Sequence, residues 1–235
     1  MKTFRSSQDR GLANFGWLKS RHSFSFGDYY DPSNMGWGPL RVLNDDWIDP
    51  GRGFPMHPHR DMEIFSYVTH GALTHEDSMG NRATIRPGRI QFMRAGTGVN
   101  HSEFNPSRDE RTHLLQIWIE PDTRGLDPAY AELDIDWESH ANQWIPLLAP
   151  TDKPLEGALS LHQDAQVWVA RLAQGTSLSV PSRSGRKAYL HLIEGQLSSE
   201  DVRLGSGDAL AIEDEAPFGI TALEDAEILF FDLPR

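Results

Sequence analysis

The chain of 235 residues contains 38% hydrophobic residues, 20 glycines and 15 prolines, which is enough for a substantial core connected by many turns. Its 22 basic and 34 acidic side chains give a net charge of −12 with histidines neutral. That field repels phosphate backbones, so nucleic-acid binding is not expected. The chain has no cysteine, which excludes disulfides and thiolate ligands and leaves nitrogen and oxygen as the donors for any metal.

Targeting signals are not evident in the sequence. No stretch approaches the roughly 18 apolar residues of a membrane-spanning helix. The first nine residues, MKTFRSSQD, lack the apolar centre of a signal peptide. We therefore expect a cytoplasmic protein without a membrane partner, and we expect it to be a monomer.

The first half of the chain has the pattern of an antiparallel meander. Glycine, asparagine and proline separate short runs of β-branched and aromatic residues, which predict strands at 64–69, 72–76, 82–86 and 89–93. Residues 112–119 predict a further strand, which the Glu120-Pro121 pair ends. A first domain therefore spans 1–125.

The second half resumes the same rhythm after a less regular segment. Residues 126–158 are predicted to be a connecting segment, with a short helical turn at 128–133. A second domain, 159–235, contains predicted strands at 167–172, 177–180, 187–193, 208–212 and 228–232.

Two short motifs in the first domain combine into one predicted metal site. Successive side chains of a strand alternate between faces, so His57 and His59 point the same way, as do His101 and Glu103. Three imidazoles and one carboxylate suit a divalent first-row metal and leave open positions on an octahedral ion. Two ordinary histidines on a half-solvated strand are the alternative interpretation of His57 and His59 taken by themselves.

The residues around these pairs resemble the two motifs of the cupin superfamily. The first motif runs from Gly51 through His57 and His59 to Glu63 and Gly71, and the second runs from Gly98 through His101 to Asn105. Two departures from the usual pattern occur: Gly96 stands where a proline is usual, and Glu63 is one residue nearer the histidines than the commonest spacing. Neither departure removes a histidine.

Longer blocks of sequence are similar to pirin, and in particular to the bacterial pirin-like proteins. They include HSFSFGDYY at 22–30, LRVLNDD at 40–46, GFPMHPHRDMEI at 53–64, AGTGVNHSE at 95–103 and QIWI at 116–119. This resemblance implies an all-β chain of two antiparallel cupin-type β-barrels, with the metal in the first. It also implies the same four metal ligands: His57, His59, His101 and Glu103.

The second half looks like a degenerate copy of the first. Gly175 is followed, at the spacing of the first histidine pair, by Pro181 and Arg183. We therefore expect the second barrel to hold no metal and to cover apolar surface of the first.

The resemblance implies two classes of function. Bacterial pirin-like proteins are similar to quercetin 2,3-dioxygenases, which implies an enzyme that opens the central ring of a flavonol with O2. Iron(II) is then the favoured cofactor. Manganese, cobalt, nickel, copper and zinc also suit the nitrogen and oxygen donors. No organic cofactor is expected. The alternative is a metal-dependent binding or regulatory protein without turnover, as nuclear pirin is.

Other polar residues of the first half have two interpretations each. Glu63 is an even number of residues from His57 and His59, so it is predicted to point into the same interior. There we expect it to act as a catalytic base, and roles as a fifth metal ligand or as a hydrogen-bond partner of a ligand stay open. His75, His113 and Gln116 line the pocket or orient ligands in one interpretation and are ordinary buried residues in the other.

Overall fold

The computed structural model describes residues 1–200 and 202–235, and these residues are mostly in β-strands. A three-residue 3-10 turn, Ser7–Asp9, is the helical element in this part of the chain. No helix long and apolar enough to cross a membrane occurs in the same residues. The strands are β1 (Lys2–Arg5), β2 (Gly11–Asn14), β3 (Leu18–His22), β4 (Leu40–Ile48), β5 (Gly53–His59), β6 (Glu63–His70), β7 (Leu73–Asp77), β8 (Arg82–Ile85), β9 (Arg89–Arg94), β10 (Val99–Phe104), β11 (Thr112–Ile119), β12 (Ala129–Asp134), β13 (Ile145–Pro150), β14 (Leu159–Leu161), β15 (Gln166–Leu172), β16 (Ser177–Val180), β17 (Lys187–Glu194), β18 (Gln196–Ser199), β19 (Val202–Gly205), β20 (Ala209–Glu213), β21 (Phe218–Ala222) and β22 (Ala226–Leu233).

The chain divides into two compact units whose boundaries differ from those expected from the sequence. The N-terminal unit is Gly11–Ile135, and the C-terminal unit combines Met1–Arg10 with Asp136–Arg235. Strand pairing explains the difference. Strand β1 pairs with β20, β12 pairs with β9, and β13 pairs with β15, so the first ten residues join the second unit and no separate connecting segment is left between the units.

The N-terminal unit consists of two antiparallel sheets. One sheet has seven strands in the order β12, β9, β6, β11, β4, β3, β2, and the other has four in the order β5, β10, β7, β8. Side chains from both sheets meet in one apolar cluster, in which Leu73 and Ile85 of the smaller sheet pack with Val68 and Leu114 of the larger. The prediction of an all-β chain is confirmed. Closed barrels are not confirmed, because the strands of each unit form two separate sheets.

The C-terminal unit has the same two sheet sizes. Its seven-stranded sheet has the order β1, β20, β17, β22, β15, β13, β14, and its four-stranded sheet has the order β16, β21, β18, β19. Leu190 and Phe230 of the larger sheet and Leu197 and Ile220 of the smaller sheet are fully buried in its core.

The predicted meander is confirmed, since β6 to β9 cover the four predicted segments and β11 covers 112–119. Strand β6 contains Ile64, Phe65, Tyr67 and Val68, residues whose shape favours a pleated, buried strand. The helical turn predicted for 128–133 is wrong, because residues 129–133 belong to β12. There Tyr130 lies opposite Met93 in the sheet, and this pairing overrides the local preference.

Candidate metal centre

Two neighbouring strands of the smaller sheet carry the predicted ligand pairs. Strands β5 and β10 are antiparallel, and His57 lies directly opposite His101. The register then shifts, so that Glu103 lies opposite Phe54. Gly53 permits this close approach, because a Cβ atom there would lie 2.1 Å from the carbonyl oxygen of Glu103. Glycine at this position therefore lets the carboxylate-bearing strand lie against β5.

Three histidine rings converge in this unit. The ring centroids of His57, His59 and His101 lie 4.5 to 4.8 Å apart, and one nitrogen from each ring lies within 4.8 Å of the others. The Nε2 atoms of His57 and His101 are 3.1 Å apart. Nδ1 of His57 is 2.7 Å from the carbonyl oxygen of Pro55, so this nitrogen is the donor and Nε2 presents its lone pair.

These nitrogens have the properties of metal ligands. Nε2 of His59 is buried and has no hydrogen-bond partner in the described part of the chain. Burial, and then the neighbouring His101 and His57, lowers the pKa of His59 to about 4. Burial, and then His57 and His75, lowers the pKa of His101 to about 3. Both imidazoles are therefore neutral at physiological pH, the form that binds a metal.

Glu103 adds a buried carboxylate to the group. It is 3% exposed, and one of its oxygens lies within 4.8 Å of ligand atoms of His101 and His75. The hydroxyl of Ser66 donates to Oε1 at 3.0 Å, and the amide of Gln116 donates to Oε2 at 3.0 Å. These hydrogen bonds fix the carboxylate and leave further lone pairs on both oxygens. The donor set, three imidazoles and one carboxylate, therefore fits a divalent transition metal.

Ser66 and Gln116 belong to a buried row of polar side chains across five strands. We call the face of the seven-stranded sheet that carries them the inner face. Each member of the row lies opposite the next member in the neighbouring strand, and all five are at most 9% exposed. This polar row is His22, Asn44, Gln116, Ser66 and Gln91.

His75 connects one end of the polar row to a metal ligand. Its Nδ1 lies 3.2 Å from the amide nitrogen of Gln91 and 3.3 Å from Nδ1 of His101, and its Nε2 lies 3.2 Å from Oδ2 of Asp77. Burial alone would raise the pKa of Asp77, but hydrogen bonds from Asn81, His75 and two backbone amides lower it overall. The ionised carboxylate therefore orients His75, and His75 orients His101.

Of the other residues considered in the sequence, the structure places Gln116 at the centre and His113 away from it. His113 is stacked on Trp47 at 4.4 Å, and its Nε2 lies 2.5 Å from Oδ1 of Asp45. Sequence reasoning missed Ser66 and Gln91. Their alternation with large apolar residues in β6 and β9 was the available signal, because a polar side chain on a core-facing position needs a partner.

The structure does not bring Glu63 to the histidines. Glu63 lies opposite Ile119 and Arg94, three positions from Ser66 along an unbroken strand, and so on the other face of the sheet. The parity argument fails because residues 60–62 leave the strand, with Asp61 at a φ of 49°. The alternation of faces counted from His59 therefore does not predict on which face of β6 Glu63 lies.

Trp118 borders the centre on the inner face. Its ring meets that of His59 edge to face at 4.8 Å and that of Phe26 at 5.3 Å. Its Nε1 is buried and finds no acceptor among residues 1–200 and 202–235. A donor without an acceptor therefore lies beside one of the proposed ligands.

The architecture and this centre are those of a two-unit cupin-type protein with a histidine and carboxylate site. The profile of the pirin family matches residues 3–119, and that of the quercetinase C-terminal cupin domain matches residues 147–233. The chain belongs to the pirin family.

Two relatives and a solved structure are similar to this chain over nearly its full length. The chain is 43% identical over 230 residues to a quercetin 2,3-dioxygenase of Escherichia coli strain K12, covering 98% of this chain and 97% of that protein. It is 42% identical over 222 residues to a pirin-like protein of Caulobacter vibrioides, covering 94% and 95%. A crystal structure of the bacterial pirin YhhW from Escherichia coli in complex with nickel(II) superimposes with a TM-score of 0.93 at 41% identity, covering 100% and 99% of the two chains.

Proposed function

We propose that this pirin-family protein is a metal-dependent dioxygenase that opens the central ring of flavonols such as quercetin with O2. One observation carries the proposal: nitrogens of His57, His59 and His101 lie within 4.8 Å of one another, and an oxygen of the buried Glu103 lies within 4.8 Å of a nitrogen of His101. The quercetin 2,3-dioxygenase name of relatives that match nearly the whole chain supports the same activity.

In this proposal His57, His59, His101 and Glu103 hold one divalent metal. When bound, the ion supplies a Lewis acid for a deprotonated hydroxyl and a site for oxygen chemistry. The chain supplies orientation: Pro55 fixes the ring of His57, and His75 fixes that of His101.

Aromatic rings border the centre. Trp118 packs edge to face against His59, and Phe54 lies 6.4 Å from His57 between ring centroids. Planar aromatic surfaces of this kind suit a flavonol, which is itself planar.

For the metal itself we propose iron(II). Manganese, cobalt, nickel, copper and zinc suit the same nitrogen and oxygen donors, and the related YhhW structure has nickel(II). Metal analysis of the purified protein, followed by reloading of the metal-free protein with each ion in turn, tests the identity.

Oxygen uptake with quercetin is the decisive measurement. We expect the metal-loaded parent to consume O2, and the His57→Ala and His101→Ala variants to lose both the metal and the uptake. His70→Ala is the matched control, because His70 is an exposed histidine of the same unit. If the two ligand variants fold and still bind one equivalent as tightly as the parent, the ligand assignment is wrong.

A parent protein that turns over no flavonol with iron, manganese, nickel or copper would instead favour the regulatory alternative.

We also propose that the sheets of each unit pack as cupin-type barrels and that the C-terminal barrel holds no metal. We further propose that the protein is a cytoplasmic monomer without nucleic-acid or membrane partners. Sedimentation and metal stoichiometry of the full chain test the oligomeric state and the single ion.

A further inference from the structure

The N-terminal unit contains a cavity of about 490 Å³ on the inner face of its larger sheet. This volume is in the range of small-molecule sites. The cavity lies among β2, β3, β4 and the loop that follows His22 in the HSFSFGDYY block. Its apolar lining includes Leu12, Leu18, Phe26, Tyr29 and Phe54.

Two of the lining rings lie against the metal centre. Phe54 is 6.4 Å from His57 between ring centroids. Phe26 contacts Trp118 edge to face, and Trp118 in turn contacts His59. Two rings of the cavity lining therefore connect it, directly or through Trp118, with the proposed metal ligands.

One wall of the cavity is polar although it is buried. Ser20, His22, Asn44 and Asp46 line it, and each is at most 5% exposed. The pairs are register partners in β3 and β4, His22 with Asn44 and Ser20 with Asp46, so the four side chains form one compact patch. His22 and Asn44 are also members of the polar row that fixes Glu103. The polar groups also contact one another, since Oγ of Ser20 lies 3.4 Å from Nδ1 of His22. An apolar cavity with a few convergent polar groups is the usual composition of a small-molecule site.

The tautomer of His22 follows from its neighbour. Its Nδ1 lies 2.7 Å from Oδ1 of Asn44, an oxygen that only accepts, so Nδ1 carries the proton. In the neutral ring Nε2 is then an acceptor, which suits a phenolic hydroxyl. The ring of His22 is stacked at 6.2 Å on that of Tyr29 and lies 5.4 Å from that of Phe26, so it is held within the aromatic wall.

We propose that this cavity is an aryl subsite: it takes the hydroxylated aromatic ring of the substrate that does not reach the metal, and His22 and Ser20 recognise its hydroxyl groups. The proposal rests on the proposed function in taking a flavonol as the ligand. Phe26 and Phe54 provide the faces and edges against which the ring packs.

Binding to the metal-free protein tests the subsite without turnover. Isothermal titration with galangin, kaempferol and quercetin, which carry none, one and two hydroxyls on the ring remote from the chelating oxygens, measures recognition of those groups. We expect affinity to rise along this series, by about threefold to tenfold for each hydroxyl that gains a hydrogen bond.

Two variants locate the recognition. His22→Phe keeps an aromatic ring and removes its nitrogens, and Ser20→Ala removes one hydroxyl with little change of volume. We expect either variant to reduce the preference for quercetin over galangin and to leave the affinity for galangin close to that of the parent. His70→Phe, an exposed histidine outside the cavity lining, is the control.

The outcomes separate the subsite from the activity. Equal affinity of the parent for all three flavonols, or an unchanged preference in both folded variants, overturns the aryl subsite. If His22→Phe does not fold, Ser20→Ala decides alone. A hydroxyl preference that both variants reduce supports the subsite even when the loaded protein consumes no oxygen, a result that would count against the dioxygenase proposal only.

Discussion

The side-chain amide of Gln116 donates a hydrogen bond to Oε2 of Glu103 at 3.0 Å, and this contact joins the larger sheet of the N-terminal unit to the smaller one. The hydroxyl of Ser66 lies between the two residues and shares its one proton between two acceptors, Oε1 of Gln116 at 2.7 Å and Oε1 of Glu103 at 3.0 Å. The only carboxylate among the four proposed ligands is thus fixed by neutral groups from the opposite sheet.

We expect Gln116→Leu to weaken metal binding by about tenfold to a hundredfold, the usual effect of losing a group that orients a ligand. Competition with a chelator of known affinity measures the change. Gln166→Leu, at a partly buried glutamine of β15 in the other unit, is the control. Unchanged affinity in a folded Gln116→Leu protein would show that Glu103 is oriented without the amide or is not a ligand.

Glu63→Gln tests the role that the sequence predicted for Glu63. Because Glu63 lies on the face of the sheet opposite to Ser66, we expect this variant to keep its metal and most of its oxygen uptake with quercetin. A positioned base contributes about 10²- to 10⁴-fold to a rate, so a loss of that size with the metal retained would restore Glu63 as the proton acceptor. Loss of the ion would make it a ligand.

The sequence predicted the ligand pairs because their geometry is local. His57 and His59 are alternate residues of one strand, as are His101 and Glu103, so alternation alone places each pair on one face. For Glu63 the same argument crosses the turn at Asp61, where alternation is interrupted.

Long-range pairing was beyond local sequence patterns. Strand β1 pairs with β20, about two hundred residues later, and nothing in residues 2–5 specifies that partner. The polar row likewise depends on the register of five strands, and only the assembled sheet brings His22 and Gln91 into one line.

Acidification is expected to destabilise the metal-free protein. In the folded chain His59 has a pKa of about 4 and His101 of about 3, whereas both have a value near 6.5 when unfolded. Between these values the unfolded chain binds more protons, so the free energy of unfolding falls as the pH is lowered from about 6.5 towards 4. Urea unfolding at a series of pH values measures the slope.

His59→Phe is the comparison for this pH dependence, because it removes one of the two titrating groups. We expect a shallower fall for this variant than for the metal-free parent. An identical slope in the two proteins would show that protonation of His59 does not contribute to acid unfolding.

Trp118→Phe tests the buried indole donor beside His59. The substitution keeps an aromatic ring between His59 and Phe26 and removes Nε1–H, which has no acceptor in the described residues. If this N–H serves an oxygen of the bound flavonol, we expect the affinity of the metal-free protein for quercetin to fall about threefold to tenfold. The affinity for the metal should stay unchanged, because the indole is not a ligand.

Trp168→Phe is the matched control. Its Nε1 is also buried without a partner in the described residues, but it lies in the other unit. Equal quercetin affinity in the parent and in Trp118→Phe would show that the indole contributes only its apolar surface.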